Sequence, residues 1–590
     1  MGIGASYGLS QLLGFFFTGL HGILPFLMLG VGIDDMFVIM QAWENLEEEE
    51  RLKSFQERFG ATMRHAGVAV TITSITDFLA FLTGATTVIP ALASFCVYSA
   101  FGILFIYFFQ VTFFLAWFSL DQRRVEDVRD GIICCWKKKD WEPSQCSQFD
   151  ILGYMFTKLV VVLDSIPGKV VVILLTALLF GLGLYGTITL ETDFDYADWL
   201  EDGTYLKTYL AENTKHFPAN GDSAGVYTTA LDYGKDLKNL NAMINDLKSL
   251  EGNNLQTNSI DSWVQPFIDS TNTQNNLSGA DLLPDNPNYA EANFTKHIGE
   301  FLNGPGKMYS SNFEYNKENP TQVSLTKIKY THILFDKTAK KLDAMNDVFD
   351  VVRKYSFTNK VFAYGESYAN NLTIEIITAE LIRNILISLC VIFLCSLFLI
   401  ADIFAALLVL VVVTITVVNV AGYCNFWGLT VDTTFAIFVT ISIGLCVDYS
   451  AHVAHGFMTE TGTRGERMKN TMIKIGPAVL NGGISTFIAF VLLAGSSSKV
   501  FFTFFQIFFL VVWFGLFHGL IFLPVLLSLI GPASHRTEEA FGHKNLDSSW
   551  EGNGKENKGF EKNPPLAIIS RTPTPTEANN TPTLPGEIQE

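Results

Sequence analysis

Ten apolar runs, each about twenty residues long and so able to cross a bilayer, constrain this 590-residue chain more than any other feature. They fall near 3–20, 22–42, 67–88, 92–119, 168–190, 379–400, 402–424, 433–457, 472–495 and 500–530. Inside a bilayer every backbone polar group must be satisfied within the protein, so runs of this kind fold as helices. The expected fold is a polytopic α-helical membrane protein of about ten spans. Charged residues are only 17 % of the chain, against about 25 % in ordinary soluble domains. That excludes a disordered chain, a secreted disulfide scaffold and a cytosolic enzyme.

The runs divide the chain. Residues 1–120 hold four spans, 121–167 a polar loop, and 168–190 one span. A large polar segment covers 191–378, five spans cover 379–530, and 531–590 form a polar tail. Lys and Arg in short loops set orientation. Arg51, Lys53, Arg58 and Arg64, then Arg123, Arg124, Arg129 and Lys137–Lys139, then Arg464, Arg467, Lys469 and Lys474 all fall on one side by counting crossings. That side is expected to be cytoplasmic, which places 191–378 outside. Sequons at Asn276, Asn293 and Asn371 agree with an outer, glycosylated segment. Asn579 opens a sequon on the cytoplasmic tail and is expected to be unused. The tail, with its Thr572–Pro575 run, has the composition of a disordered segment.

Cysteine and charge usage narrow the partners. The segment 191–378 has no cysteine, so it holds no internal disulfide. Cys134, Cys135 and Cys146 lack a nearby His to complete a zinc set and read as free thiols, with S-palmitoylation of the pair as the alternative. A net charge of −18 argues against nucleic acid. There is no Walker A motif and no hydrolase, kinase or metal signature, so the chain reads as a non-enzyme without a bound cofactor. A gradient of H⁺ or Na⁺ is left as the energy source for any transport.

A membrane unit occurs twice. Gly67, Ala69, Val70, Ile75, Phe78, Ala80 and Phe81 match Gly476, Ala478, Val479, Ile484, Phe487, Ala489 and Phe490 at a constant offset of 409. Upstream, Gly30–Asp34 matches Gly444–Asp448 at an offset of 414. Parallel repeats related by an axis along the membrane normal are a transporter architecture. By that symmetry the first copy lacks a leading span, an outer segment and a further span, so the chain is expected to be shortened at its N-terminus.

The repeat carries the candidate site. Asp34 and Asp35 lie near the middle of the second span, and Asp448 at the equivalent depth of the eighth. A carboxylate at that depth costs roughly 2.5–3.5 kcal/mol on insertion scales, and such residues mark ion or proton pathways. His452 and His455 share a helical stripe with Asp448, which suits a proton relay or cation site. Gly30 and Gly444, each four residues before an Asp, let helices approach closely. Carboxylates brought together in this way need a proton or a cation between them. The competing reading is a buried hydrogen-bond network that only holds the bundle together. Asp77, among Thr71, Thr73, Ser74 and Thr76, reads as a helix-packing partner rather than a carrier.

These residues resemble a known family. Gly30–Phe37 (GVGIDDMF), Gly444–Asp448 and Ser74–Leu82 are similar to the sterol-sensing segment and signature pair of Patched-related proteins in the resistance-nodulation-division superfamily. Thr192-Asp-Phe-Asp resembles the family's entry into its second outer domain. The resemblance implies an α+β, ferredoxin-like porter-type outer domain over 191–378, in a family fold of twelve spans with two such domains. It implies a membrane lipid or sterol as substrate, a secreted protein ligand as a further partner, and a plasma or endosomal membrane as location. The expected function is ion-coupled lipid or sterol transport. The alternatives are a non-transporting receptor or sterol sensor of Hedgehog-type signalling, or a truncated partner of a full-length relative.

Overall fold

The computed structural model describes residues 1–131, 136–137, 150–193, 200–201, 203–217, 221–278, 282–286, 288–317, 322–335 and 337–533. Cys134, Cys135, Cys146, Lys138, Lys139, Phe194, Asp195, Thr572–Pro575 and Asn579 lie outside the described residues.

The N-terminal half runs α1 (Gly2–Leu12), α2 (Leu24–Glu44), α3 (Glu48–Arg51), α4 (Phe55–Gly84), α5 (Pro90–Phe109), α6 (Leu115–Glu126), α7 (Ile151–Asp164) and α8 (Ile166–Ile188). An α+β domain follows with α9 (Tyr205–His216), β1 (Ser223–Thr228), α10 (Tyr233–Lys248), α11 (Val264–Gln274), α12 (Glu291–Asn303), β2 (Phe313–Tyr315), β3 (Val323–Thr331), α13 (Thr338–Arg353) and β4 (Val361–Gly365). The chain ends in α14 (Glu366–Ile400), α15 (Ile403–Phe426), α16 (Thr433–Thr459), α17 (Arg464–Val491), α18 (Lys499–Phe517) and α19 (Leu523–Ile530). Among the described residues, nine helical segments are long and apolar enough to cross a membrane. The protein is a polytopic helical membrane protein.

Two expectations from the sequence need correction. The run 3–20 is not a continuous span. It forms the 11-residue α1, stops where Gly14 takes a left-handed φ of +85°, and resumes as a 3₁₀ turn at Gly19–Ile23 leading into α2. Apolarity alone does not keep a helix going through Gly14, which reaches that φ without steric cost. The second correction concerns the polar loop 121–167, which contains the helix α7. It buries Phe156, Val160 and Leu163 and exposes Ile151, Tyr154, Val161 and Val162. Fourteen residues rise only about 21 Å, too short to span a membrane, and the pattern is that of a helix lying along its surface. Phe156 packs on Gly476 of α17.

α16 is the axis of the bundle and is buried almost from end to end. α14, α15, α17, α18 and α4 all pack on it. At the edge, α8 meets α15 through Gly183 and Gly186 against Gly422, where an added methyl would strike backbone. α4 and α17 open with the same device. Ser54 and Glu57 form a capping box on α4, and Thr463 and Glu466 form one on α17, each satisfying orphan backbone donors. α5 and α18 both pass into a π-helical turn, Gln110–Phe114 and His518–Phe522.

The α+β domain has an antiparallel sheet in the order β2-β3-β1-β4. α10–α12 connect β1 to β2 and α13 connects β3 to β4, a split β-α-β arrangement. Alternation puts Val226, Ile328 and Tyr330 on the helix-covered face, over a core of Leu237, Leu240, Trp263, Phe267, Phe294 and Met345. β4 runs without a break into α14. Its 35 residues rise about 52 Å, more than the ~30 Å of a hydrocarbon core, so one helix joins domain and membrane.

Candidate functional site

Four helices meet at the centre of the bundle in two crossings. α2 packs on α17: Gly30 lies against Thr486 and Phe490, and Gly482 against the Asp34 carboxyl. α16 packs on α4: Gly444 lies against Asp77 and Ala80. In each crossing a glycine leaves room for the facing helix. Asp34, Asp35, Asp77 and Asp448 come together there, between 2 and 9 % exposed.

Their surroundings differ. Asp35 accepts hydrogen bonds from Thr73 Oγ1 at 3.3 Å and Ser74 Oγ at 3.2 Å. The carboxyls of Asp77 and Asp448 lie within hydrogen-bonding reach of each other. Two carboxylates are acceptors only, so that contact needs a proton on one of them. One oxygen each of Asp34, Asp77 and Asp448 is buried without a hydrogen-bond partner among the described residues. Buried polar groups are normally satisfied; a proton between Asp77 and Asp448 engages that pair, and the open Asp34 oxygen leaves acceptor capacity for a further proton or a cation. Among the described residues no group of three or more His, Cys, Asp or Glu side chains is arranged as a metal-ion site.

A cavity of about 400 Å³ opens beside this centre. Gln41, Asn45, His65, His452, Glu460 and Lys474 are among its lining residues. Val38, Ala69, His452 and Ala478 also line it, and each is one helical turn from Asp34, Thr73, Asp448 or Gly482. The cavity therefore ends about 6 Å along the helix from Asp34 on α2 and Asp448 on α16, and as far from Thr73 on α4 and Gly482 on α17. Its mouth carries the Lys474–Glu460 ion pair at 2.7 Å and a hydrogen bond from Asn45 Nδ2 to the Lys474 carbonyl at 2.8 Å.

Asp34, Asp35 and Asp448 thus share one centre, with Gly30 and Gly444 at its crossings. His452 and His455 face the cavity rather than the carboxyls themselves. Asp77 packs on Gly444, as a packing residue would, and also joins the carboxyl cluster. The sequence reading missed Gly482, Thr486 and the cavity. The matched spacing was the available signal, because Thr486 is the repeat equivalent of Asp77 and Gly482 that of Thr73. Of the sequons, Asn276 and Asn293 are exposed, whereas Asn371 sits inside α14 and is 7 % exposed. A side chain held in a helix and covered by its neighbours is not presented for glycan attachment.

Fold and site together define a polytopic helical membrane protein with a buried carboxyl centre. Residues 1–138 match the sterol-sensing domain of SREBP cleavage-activation, and residues 326–554 match the MMPL family. The chain is 24 % identical to Patched-related protein 9 of Caenorhabditis elegans, covering 90 % of this chain and 60 % of that protein. It is 24 % identical to the NPC1-like intracellular cholesterol transporter 1 of Rattus norvegicus, covering 86 % and 43 %. In fold it is similar to the hedgehog release protein Disp from the water bear Hypsibius dujardini, with a TM-score of 0.65 at 16 % identity over 90 % of this chain and 66 % of that one. In sequence the chain is thus similar to sterol-sensing-domain and MMPL proteins, and to Patched-related and NPC1-like relatives. The chain spans about half the length of the curated relatives it matches.

Proposed function

We propose that this chain is an ion-coupled, Patched-like lipid or sterol transporter, driven by H⁺ or Na⁺ at Asp34, Asp35, Asp77 and Asp448. The observation that carries the reading is the set of open carboxyl oxygens between four helices, next to a cavity that stops one turn away. Charge at membrane depth is expensive and is retained where something must bind or pass. Loading the centre with a proton or cation removes repulsion between carboxyls, and that change in packing biases the bundle between two states. His452, on the cavity side of Asp448, would relay between water and the centre. The similar proteins include a cholesterol transporter and a hedgehog release protein, which favours a sterol or lipid as cargo and a secreted protein as a further partner.

The repeat supports this reading. The capping boxes at Ser54/Glu57 and Thr463/Glu466 are 409 residues apart, the offset of the sequence match. The π-helical turns begin at Gln110 and His518, a separation of 408. Gly30 meets Thr486 while Gly444 meets Asp77, and those partners are themselves equivalent. Two similar units crossing in this reciprocal way can rock against each other about a central site. The α+β domain then stands outside the cell, a porter-type module with glycans at Asn276 and Asn293, in a plasma or endosomal membrane.

The test is sterol flux from proteoliposomes under an imposed Na⁺ or H⁺ gradient. Asp448→Asn is expected to cut flux at least tenfold while sterol binding stays intact. Equal flux in variant and parent would overturn the coupling role and favour a receptor or sensor.

A further inference from the structure

Above the carboxyl centre, on the side of the α+β domain, α4 and α14 meet along a polar seam. At its outer end Glu380 of α14 accepts from Thr87 Oγ1 at 2.7 Å and from the Val88 backbone N–H at 3.2 Å, and pairs with Arg383 at 2.7 Å. Arg383 also donates to the Thr86 carbonyl at 3.2 Å. Deeper, Ser388 Oγ lies 3.2 Å from Thr83 Oγ1. Between these two contacts sits Asn384, with 0 % exposure. Both polar atoms of its amide are buried without a partner among the described residues. Glu380, Asn384 and Ser388 are spaced i, i+4, i+8 and share one face of α14. On α4, Thr83 is six residues from Asp77, or about 9 Å along the helix.

A fully buried amide with neither donor nor acceptor engaged is costly, and an apolar side chain of similar volume would relieve the cost. The features around it suit a transient ligand. Oxygens of a neutral amide and two hydroxyls come from facing helices, and the nearby carboxylate is already held by Arg383. Such a set can strip part of the hydration of a monovalent cation without trapping it, which conduction requires. We propose that this seam binds a monovalent cation with its remaining water at Asn384, and passes it between the α+β side of the membrane and Asp77. The cavity at His452 then serves the opposite side, so the carboxyl centre has one access route from each face. This inference rests on the ion-coupled reading and assigns that reading its outer route.

The test is thiol accessibility, which needs no transport. Asn384→Cys protein in proteoliposomes is exposed to a membrane-impermeant cationic methanethiosulfonate added on the α+β side. Labelling is read peptide by peptide by mass spectrometry, with the native buried Cys96 and Cys446 as references. The expected result is labelling at 384 at least tenfold faster than at Cys446, and slowed severalfold when Na⁺ replaces choline. Labelling as slow as at Cys446, or indifferent to Na⁺, overturns the site. Asn384→Leu gives an independent arm. It is expected to raise the thermal midpoint and still lower gradient-driven flux at least tenfold, whereas a more stable variant with parental flux overturns the route. If Asp448→Asn leaves flux unchanged while Asn384→Cys labels as expected, the coupling role falls and the seam stands. If Asp448→Asn abolishes flux while position 384 is inert and Asn384→Leu transports normally, the seam falls and the coupling role stands.

Discussion

Two of the places where the chain buries polar side chains are built on opposite principles. In the α+β domain two sets of buried hydroxyls close on one another or on a histidine. Tyr368 OH bridges Tyr330 OH at 2.9 Å and His332 Nε2 at 2.7 Å, while His332 Nδ1 meets the Asn254 carbonyl at 3.1 Å. Thr228 joins Tyr233 and Thr326 at 2.8 and 2.7 Å. In the membrane centre, oxygens of Asp34, Asp77 and Asp448 and the whole amide of Asn384 stay open. A closed network fixes one geometry, and an open set keeps acceptor capacity in reserve. The difference teaches where rigidity and where exchange are built in. The Tyr368 and Thr228 networks hold hydrogen bonds that resist change, and on the proposed reading the open carboxyls are the groups whose state depends on what is bound.

The largest effect expected from breaking this contrast is at Gly482. A methyl group there would occupy the space of the Asp34 carboxyl. Gly482→Ala should cost about 3 kcal/mol or prevent folding, the upper range for overpacking. Gly444→Ala should cost less, because its methyl would stand 2.7 Å from Asp77 Oδ1 and 3.6 Å from its carboxyl carbon, a smaller displacement than at Asp34. Thermal unfolding of the two purified variants ranks them, and the reverse order would mean that the α16–α4 crossing is the tighter one. Closing the comparison from the other side, Tyr368→Phe should destabilise the domain by about 1–3 kcal/mol, because Tyr330 and His332 both lose a partner. A variant as stable as the parent would show that water replaces the hydroxyl, and that the network is less closed than its distances suggest.

Smaller effects sharpen the contrast. Thr73→Val removes one of two hydroxyl donors to Asp35 and should cost about 1 kcal/mol while shifting ion dependence. An ion titration followed by intrinsic fluorescence reads that shift, and an unchanged midpoint would detach Asp35 from the ion site. The smallest expected effect is pH-dependent. Burial holds His332 below the ordinary imidazole range, against the opposing pull of the Asn254 carbonyl and Asp222. The folded domain keeps this ring neutral, and the unfolded chain takes up a proton near pH 6.5. Stability is therefore full above that pH and declines as pH falls through about 6.5 toward the lowered folded value. His332→Gln should flatten this part of the stability–pH curve, and a curve of unaltered slope would assign the dependence to another group.

Much of the fold was legible because membrane burial is a local property of sequence. Nine of the ten apolar runs correspond to segments able to cross a bilayer. The tenth failed at Gly14, where backbone conformation overrides apolarity. α7 was missed because its 14 residues, although apolar, are too few to cross a bilayer and were read together with the polar loop before them. The depth of Asp34, Asp35 and Asp448 could be read from their place in apolar runs. Their company could not.

The sequence by itself determined that this is a multi-span helical membrane protein, that it carries carboxylates at membrane depth, and that the surrounding motif recurs at a fixed offset. The first two are statements about residues close together in the chain, and the third compares two such stretches. Tertiary structure alone decided that Asp77 touches Asp448, that Gly482 makes room for Asp34, that Asn371 is covered, and that Asn384 is sealed in without a partner. The physical reason is that hydrophobicity and helix period place a residue at a depth and on a face. Which group stands opposite depends on how helices distant in sequence cross, and small residues such as Gly30, Gly444 and Gly482 set that crossing by leaving space rather than by making contacts of their own.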